Sequence, residues 1–418
     1  MDTDVPVVPI PLVEAQLTVT ELPIARDAGR RTLVALGFGT FVAALVFIIP
    51  PIFFPEMASE LQVSVPLLGQ IMSVMLALSV VLGLVIGPLS DRSGYRLLIL
   101  IGLIAATVCL FIFGLAPAFL LLLLASAAGA VSDAAVLGSS FAIAGTAFTG
   151  KAARRAIGWT TAAQAGSAIV GVPVLAAIGT VAGWRVAFVV AGFVALAVVA
   201  LAALWLPRDH RRPAESLRLD AILAPYRPLL RVAVMRRLYG ATMVGAVCWM
   251  GLLTYLGAFL VEALGLGTAH VGIAYMAAGT GYCLGSLAVG GPLARFPTRR
   301  LVVFGYVAAA LLIALAFSAR VGTTGSIVLV TGASLMMGLE GVAMTALMTA
   351  ETPSGAGTTM TLSGSLFNLG AAGGSAIGGA LLALSGYQAL AIGLPVFALG
   401  AALLSWQPGH RSSSQVRV

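Results

Sequence analysis

Twelve apolar runs of membrane-crossing length constrain this chain more than any other feature. They lie at 33–54, 66–89, 97–115, 119–141, 156–180, 184–206, 238–261, 271–293, 301–319, 326–348, 358–384 and 387–406. A hydrocarbon core about 30 Å thick needs roughly 20 apolar residues per helix. Backbone at that depth must satisfy its own hydrogen bonds, which leaves helices or closed barrels. The runs lack the period-2 alternation of barrel strands, so they predict helices. Composition closes the soluble alternatives: 60% of the 418 residues are hydrophobic and 9% are charged, whereas a soluble domain is about 25% charged. The expected fold class is an all-α integral membrane protein with 12 transmembrane helices.

Charge placement orients it. With the N-terminus inside, all but two of the 23 Lys and Arg fall on one side; the two exceptions are Arg185 and Arg320. That asymmetry predicts both termini in the cytosol of a cell membrane. It assigns the net charge of +8 to topology and anionic lipid, not to nucleic acid. The expected divisions are a cytosolic tail at 1–32, a six-helix bundle at 33–206, a cytosolic loop at 207–237, a second bundle at 238–406 and a tail at 407–418.

The second bundle repeats the first. Gly87-Pro88-Leu89-Ser90-Asp91-Arg92-Ser93-Gly94-Tyr95-Arg96 follows span 2, and Gly291-Pro292-Leu293-Ala294-Arg295-Phe296-Pro297-Thr298-Arg299-Arg300 follows span 8, 204 residues later. Gly183-Trp184 and Gly386-Tyr387 stand 203 apart. Duplicated bundles of this kind build transporters, with the substrate site between the halves.

These residues resemble the major facilitator superfamily over essentially all of 33–406. The loop after span 2 carries the resemblance most specifically, with Gly87, Asp91, Arg92, Gly94 and Arg96 matching the family's pattern. In that family the loop is implied to latch the cytoplasmic gate; read alone, it is also a topology anchor. Span 5 holds Gly166, Gly171 and Pro173, similar to a motif of the family's drug and metabolite antiporters. Val172 separates the last two, which departs from the pattern, and ordinary small-residue helix packing gives the same spacing. The arginine those antiporters often carry in span 4 is absent, as is an acid in span 1, so the usual proton relay does not transfer.

Two acids remain inside spans, Asp133 in span 4 and Glu340 in span 10. Each lies 14 residues from the start assigned to its span, about 21 Å deep. A charged Asp at mid-membrane costs roughly 2.5–3.5 kcal/mol, so such residues face a cavity or a partner. They are the candidates for proton coupling or cation binding; a helix-pairing hydrogen bond is the alternative. Small residues at Ser126, Gly129 and Ser140 share the Asp133 face at helical spacing. Cavity candidates are Gln164, Trp249, Tyr255, Tyr275, Met337, Met344 and Asn368. The methionines read either as pliable ligand walls or as core filler.

The expected function is secondary active transport by alternating access, as proton-coupled efflux of small, largely apolar drugs or metabolites. Uptake or facilitated diffusion of a polar solute is the alternative. Expected partners are the substrate, protons and membrane lipid, with the chain acting as a monomer. The sequence shows no Walker-type phosphate loop and no metal-ligand spacing, so no cofactor, metal or enzymatic role is expected.

Overall fold

The computed structural model describes residues 26–140, 143, 150–206, 226–318, 321–353 and 355–406. Most of the two expected tails and 207–225 of the expected central loop lie outside the described residues. Ten long helices are continuous or carry one wide turn: α1 Arg26–Ile48, α2 Val65–Ser93, α3 Tyr95–Leu115, α4 from Phe119, α5 from Gly150 to Ala182, α6 Trp184–Trp205, α7 from Ala233, α8 Thr268–Gly290, α9 Thr298–Phe317 and α10 Gly322–Glu351. The last helical stretch, Ala356–Ser405, leaves helical geometry at Ser385 (φ −148°, ψ 19°) and Gly386 (φ 68°, ψ −162°). That break divides it into α11 (356–384) and α12 (387–405), which completes twelve spans.

Several helices outrun their apolar runs. α1 starts at Arg26, inside the expected tail, and α7 starts at Ala233, inside the expected central loop. Arg30 and Arg31 are exposed on α1, as are Arg236 and Arg237 on α7. Long cationic side chains can project from a helix end into water, so helix continues where hydropathy stops. The expected loop after span 2 is mostly helix as well: α2 runs to Ser93, and the turn into α3 is Gly94 alone, at φ 82°. Only glycine takes that conformation without strain.

Repeated sequence becomes repeated structure. Gly183 and Gly386 both turn at positive φ. Trp184 donates to Glu60 Oε2 at 2.6 Å, and Tyr387, one half later, donates to Glu262 Oε2 at 2.7 Å. Arg96 donates to the Ala203 carbonyl at the end of α6 (2.5 Å), and Arg299 to the Ser405 carbonyl at the end of α12 (3.0 Å). These arginines cap the orphan carbonyls of helix C-termini. Arg299 also pairs with Glu351 at 2.5 Å. These arginines mark one end of the bundle as its basic end.

The halves meet along α2 with α11 and along α5 with α8, pairs that the repeat relates to each other. At the far end they are sealed. A short 3₁₀ turn, Pro50–Phe53, lies against Gly257 of α7. Thr268, at the start of α8, donates to Glu56 Oε1, and Tyr255 packs on Gly69 and Gly379. The outer faces are apolar: Leu97, Ile101, Ile104 and Val108 are exposed in one row on α3, the surface lipid would cover.

Candidate transport cavity between the halves

Beneath the far-end seal lie two cavities of about 370 and 390 Å³. The first is bounded by Ala44, Phe47, Asp133, Gln164, Tyr275 and Asn368, among others. The second is bounded by Thr242, Tyr306, Met337, Glu340, Met344 and Met360, among others. Thr161, Trp249, Tyr282 and Phe367 line both. Each helix puts its second-cavity residues nearer the basic end, so the cavities are stacked along the bundle. The partition between them includes the Trp249 and Tyr282 rings, stacked at 5.8 Å between centroids and 24° between planes.

Asp133 opens a π-helical turn, Asp133–Leu137, in α4. Such turns occur mostly as single insertions and frequently at functional sites. Its carboxylate takes donors from both halves. Ser79 Oγ of α2 donates to Oδ2 at 2.6 Å, and Asn368 Nδ2 of α11 donates to the same oxygen at 3.1 Å. Close packing brings α4 there: a Cβ on Gly129 would stand 3.3 Å from Met75 Cγ of α2. The π turn adds a residue to one turn, so later residues of α4 rotate off the straight helical face. Ser126 and Gly129 remain buried beside Asp133 on the packed side, while Ser140 is buried with its hydroxyl unpaired and lines neither cavity.

Glu340 is 5% exposed. α10 begins at Gly322, earlier than the apolar run, which puts Glu340 about 27 Å from the far end of its helix. It therefore lies nearer the basic end than Asp133 and not at equal depth. The repeat agrees: Gly102 of α3 packs on Val136, and Gly305 of α9 packs on Glu340. A Cβ at Gly305 would stand 2.7 Å from the Glu340 Cβ, so the glycine makes the room the acid occupies. The Tyr306 hydroxyl is hydrogen-bonded to the Glu340 carboxyl and also lies 3.3 Å from the Ala241 carbonyl. Among the described residues that line either cavity, none is Lys, Arg or His.

The other candidates divide. Gln164, Trp249, Tyr275 and Asn368 line the first cavity, and Met337 and Met344 the second. Tyr255 lines neither: it is fully buried and donates to the Ser375 carbonyl at 2.7 Å within the second half. The span 5 glycines bracket a second π turn, Ser167–Gly171, whose Ser167 and Ala168 line the first cavity. Gly171 packs on Leu45, and Pro173 on Gly272 of α8. The side chains of Gly87, Asp91 and Arg92 lie outside the described residues; Gly94 forms the turn into α3, and Arg96 caps α6. Ser79 and Tyr306 were not among the sequence candidates. Ser79 was findable by depth, since it stands 13 residues into its apolar run (66 to 79), nearly as far as Asp133 stands into span 4 (119 to 133).

Two duplicated six-helix halves around a central cavity that holds a buried acid define a membrane transporter. Residues 36–354 match the family model for the Major Facilitator Superfamily, and the chain belongs to that superfamily. Solved structures share its fold. One is a bacterial homolog of the human lysosomal transporter Spinster in an inward-facing, unoccupied conformation; it is 18% identical, with TM-score 0.70, over 91% of this chain and 95% of that one. The nucleoside transporter NupG is 13% identical, with TM-score 0.70, over 90% and 98%. The human organic anion transporter MFSD10 is 17% identical, with TM-score 0.67, over 90% and 99%. No curated protein matches the chain by sequence.

Proposed function

We propose that the protein is a proton-coupled exporter of small, largely apolar molecules, acting as a monomer in the cell membrane. The observation that carries this reading is Asp133. It lies on the central cavity, and its carboxylate is held by one donor from each half, Ser79 and Asn368. Rocking of the halves changes that pair of contacts, so gain or loss of a proton at Asp133 is tied to the conformational change. Coupling requires only that proton and substrate favour different states.

By the distribution of Lys and Arg, the basic end faces the cytosol. The far-end seal then makes this an inward-facing state, ready to load substrate from inside. The largely apolar walls, with Phe47, Leu76, Leu137, Met250 and Phe367, suit apolar cargo. The turn at Gly94 and the cap at Arg96 belong to the proposed cytoplasmic gate.

The test is growth of a pump-deficient host on a panel of toxic compounds, together with flux in proteoliposomes under an imposed pH gradient. Wild type runs beside Asp133→Asn and Glu340→Gln at matched expression. Export should respond to the gradient and be lost in Asp133→Asn. Gradient-driven accumulation in the opposite direction would establish the uptake alternative, and export untouched by Asp133→Asn would remove this residue from the coupling.

A further inference from the structure

We propose that the two halves move differently: the first half changes shape at its two π turns, in α4 and α5, while the second half moves as two rigid helix pairs. This rests on alternating access from the transport reading, but not on proton coupling, cargo or direction.

The repeat relates α1 with α5 to α7 with α11, and α2 with α4 to α8 with α10. In the second half these pairs meet backbone on backbone. A Cβ on Gly370 or Gly374 of α11 would overlap the Met243 or Val247 carbonyl of α7. A Cβ on Gly281 or Gly285 of α8 would overlap the Thr331 or Leu335 carbonyl of α10, and one on Gly338 of α10 the Tyr282 carbonyl of α8. Hydrogen bonds join the same pairs. The Thr254 and Ser375 hydroxyls stand 2.8 Å apart, Tyr255 donates to the Ser375 carbonyl at 2.7 Å, and Ser286 donates to the Gly338 carbonyl at 3.2 Å. Peptide planes in contact cannot turn aside as side chains do, so a change of angle or register loses many contacts at once.

In the first half the matching contacts are side-chain tips. Gly171 of α5 faces Leu45 Cδ2, and Gly129 of α4 faces Met75 Sδ, each 2.5 Å from where a Cβ would stand. Such ends shift between rotamers at little cost. The π turns, Asp133–Leu137 and Ser167–Gly171, sit in this softer packing, and both border the first cavity. Each adjoins a loosely held glycine. A Cβ on Gly138 would meet nothing within 4 Å, and one on Gly166 only the Phe41 ring, at 3.8 Å. α10 and α11, the counterparts of α4 and α5, contain no π turn among their described residues. The π turn that follows Ala258 of α7, Phe259–Ala263, lines neither cavity.

A π turn holds one residue more than an α turn. Passing that residue along the helix turns each residue it crosses by about 100° and leaves both helix ends in place. In α4 the turn begins at Asp133, so passage toward Phe119 swings Asp133 away from Ser79 and Asn368. In α5 it turns Ala168 against α8, where Gly279 has no side chain to block it: a Cβ there would stand 3.0 Å from the Ala168 Cβ. The central cavity is reshaped from one wall.

Hydrogen exchange on the full-length protein in lipid nanodiscs, read by peptide mass, should be at least about tenfold faster over 134–138 and 168–172 than over 338–342 and 364–368. All four segments reach a cavity, so access to water is shared. Equal or slower exchange at the π turns overturns the proposal. Deletion of Val170, 58% exposed within the second turn, leaves a plain α turn with both flanks in register. With Leu253→Cys as the single cysteine, an impermeant maleimide should label the parent from both sides of oriented vesicles. The deleted protein should be labelled from one side alone, the other rate falling at least about tenfold. Labelling from both sides at the parent's rates overturns the proposal; if the deleted protein does not fold, the exchange result decides. A parent labelled from one side only would sink alternating access and this proposal together, whereas two-sided labelling without proton-driven flux would sink the coupling alone.

Discussion

The far-end seal makes a quantitative prediction at Gly257. A Cβ there would stand 2.6 Å from the Pro51 carbonyl oxygen and 3.2 Å from the Ile52 Cα. Both neighbours are backbone, so neither can turn away as a side chain would. For Gly257→Ala the 3₁₀ segment must retreat by several tenths of an ångström. Overpacking of this kind costs about 1–3 kcal/mol. The cost falls on the sealed state alone, since the far ends part when the transporter opens outward. At about 1.4 kcal/mol per factor of ten, the ratio of sealed to open protein falls roughly 5- to 150-fold. The assay replaces Cys109, Cys248 and Cys283 and places one cysteine at Leu253, which lines the first cavity just inside the seal. A membrane-impermeant maleimide added outside should label the Gly257→Ala protein at least about fivefold faster. Gly240→Ala is the control on the same helix: its Cβ would meet only Leu404, at 3.5 Å, and it shares the gain in helix propensity. Equal labelling of Gly257→Ala and the parent, with both fully folded, would refute the argument that this close approach holds the seal.

Three further outcomes are expected. Asn368→Leu removes the only second-half donor to Asp133 among the described hydrogen bonds; proton-driven flux should fall about tenfold or more, the scale of a hydrogen bond to a charged group, and full flux would show that the cross-half contact is dispensable. Gly386→Ala forces a Cβ into φ 68°, ψ −162°, a region essentially open to glycine alone, costing about 1–3 kcal/mol; the melting temperature should drop by a few degrees while Gly267→Ala, at φ −75° with open space around it, leaves it unchanged. Arg185→Met frees the Ala116 and Gly114 carbonyls, now held at 2.7 and 3.3 Å, and should cost about 1–2 kcal/mol in thermal melts. In a double-mutant cycle its coupling to Glu60 should stay under about 1 kcal/mol, because that pair is partly solvent-exposed.

The candidate site was legible in part. Asp133 and Glu340 stood out because a charge inside an apolar run is rare, and both lie on the stacked cavities. What sequence could not supply was phase. Apolar run 326–348 starts later than α10 does, so counting from its edge put Glu340 too near the middle. The π turn at Asp133 likewise breaks the helical spacing that joined it to Ser140. Tyr255 and Tyr275 read alike in sequence, as aromatic residues within spans. Packing separates them: Tyr255 fills the space left by Gly69 and Gly379 at the seal, whereas Tyr275 reaches the cavity.

The number of spans and the duplication could be read from local sequence. The first depends on hydropathy along each segment, which the bilayer enforces wherever the helices come to lie, and the second on motifs repeated half a chain apart. Tertiary structure alone decided which groups meet. Ser79, Asp133 and Asn368 come from three helices and both halves, with 54 and 235 residues between the bonded pairs. Lipid is as apolar as the helix surfaces, so burial does not choose helix partners in the membrane; close approach at small residues and shared hydrogen bonds do. That choice places one acid across the two halves and leaves the other facing an aromatic, methionine-lined cavity built mainly by the second half.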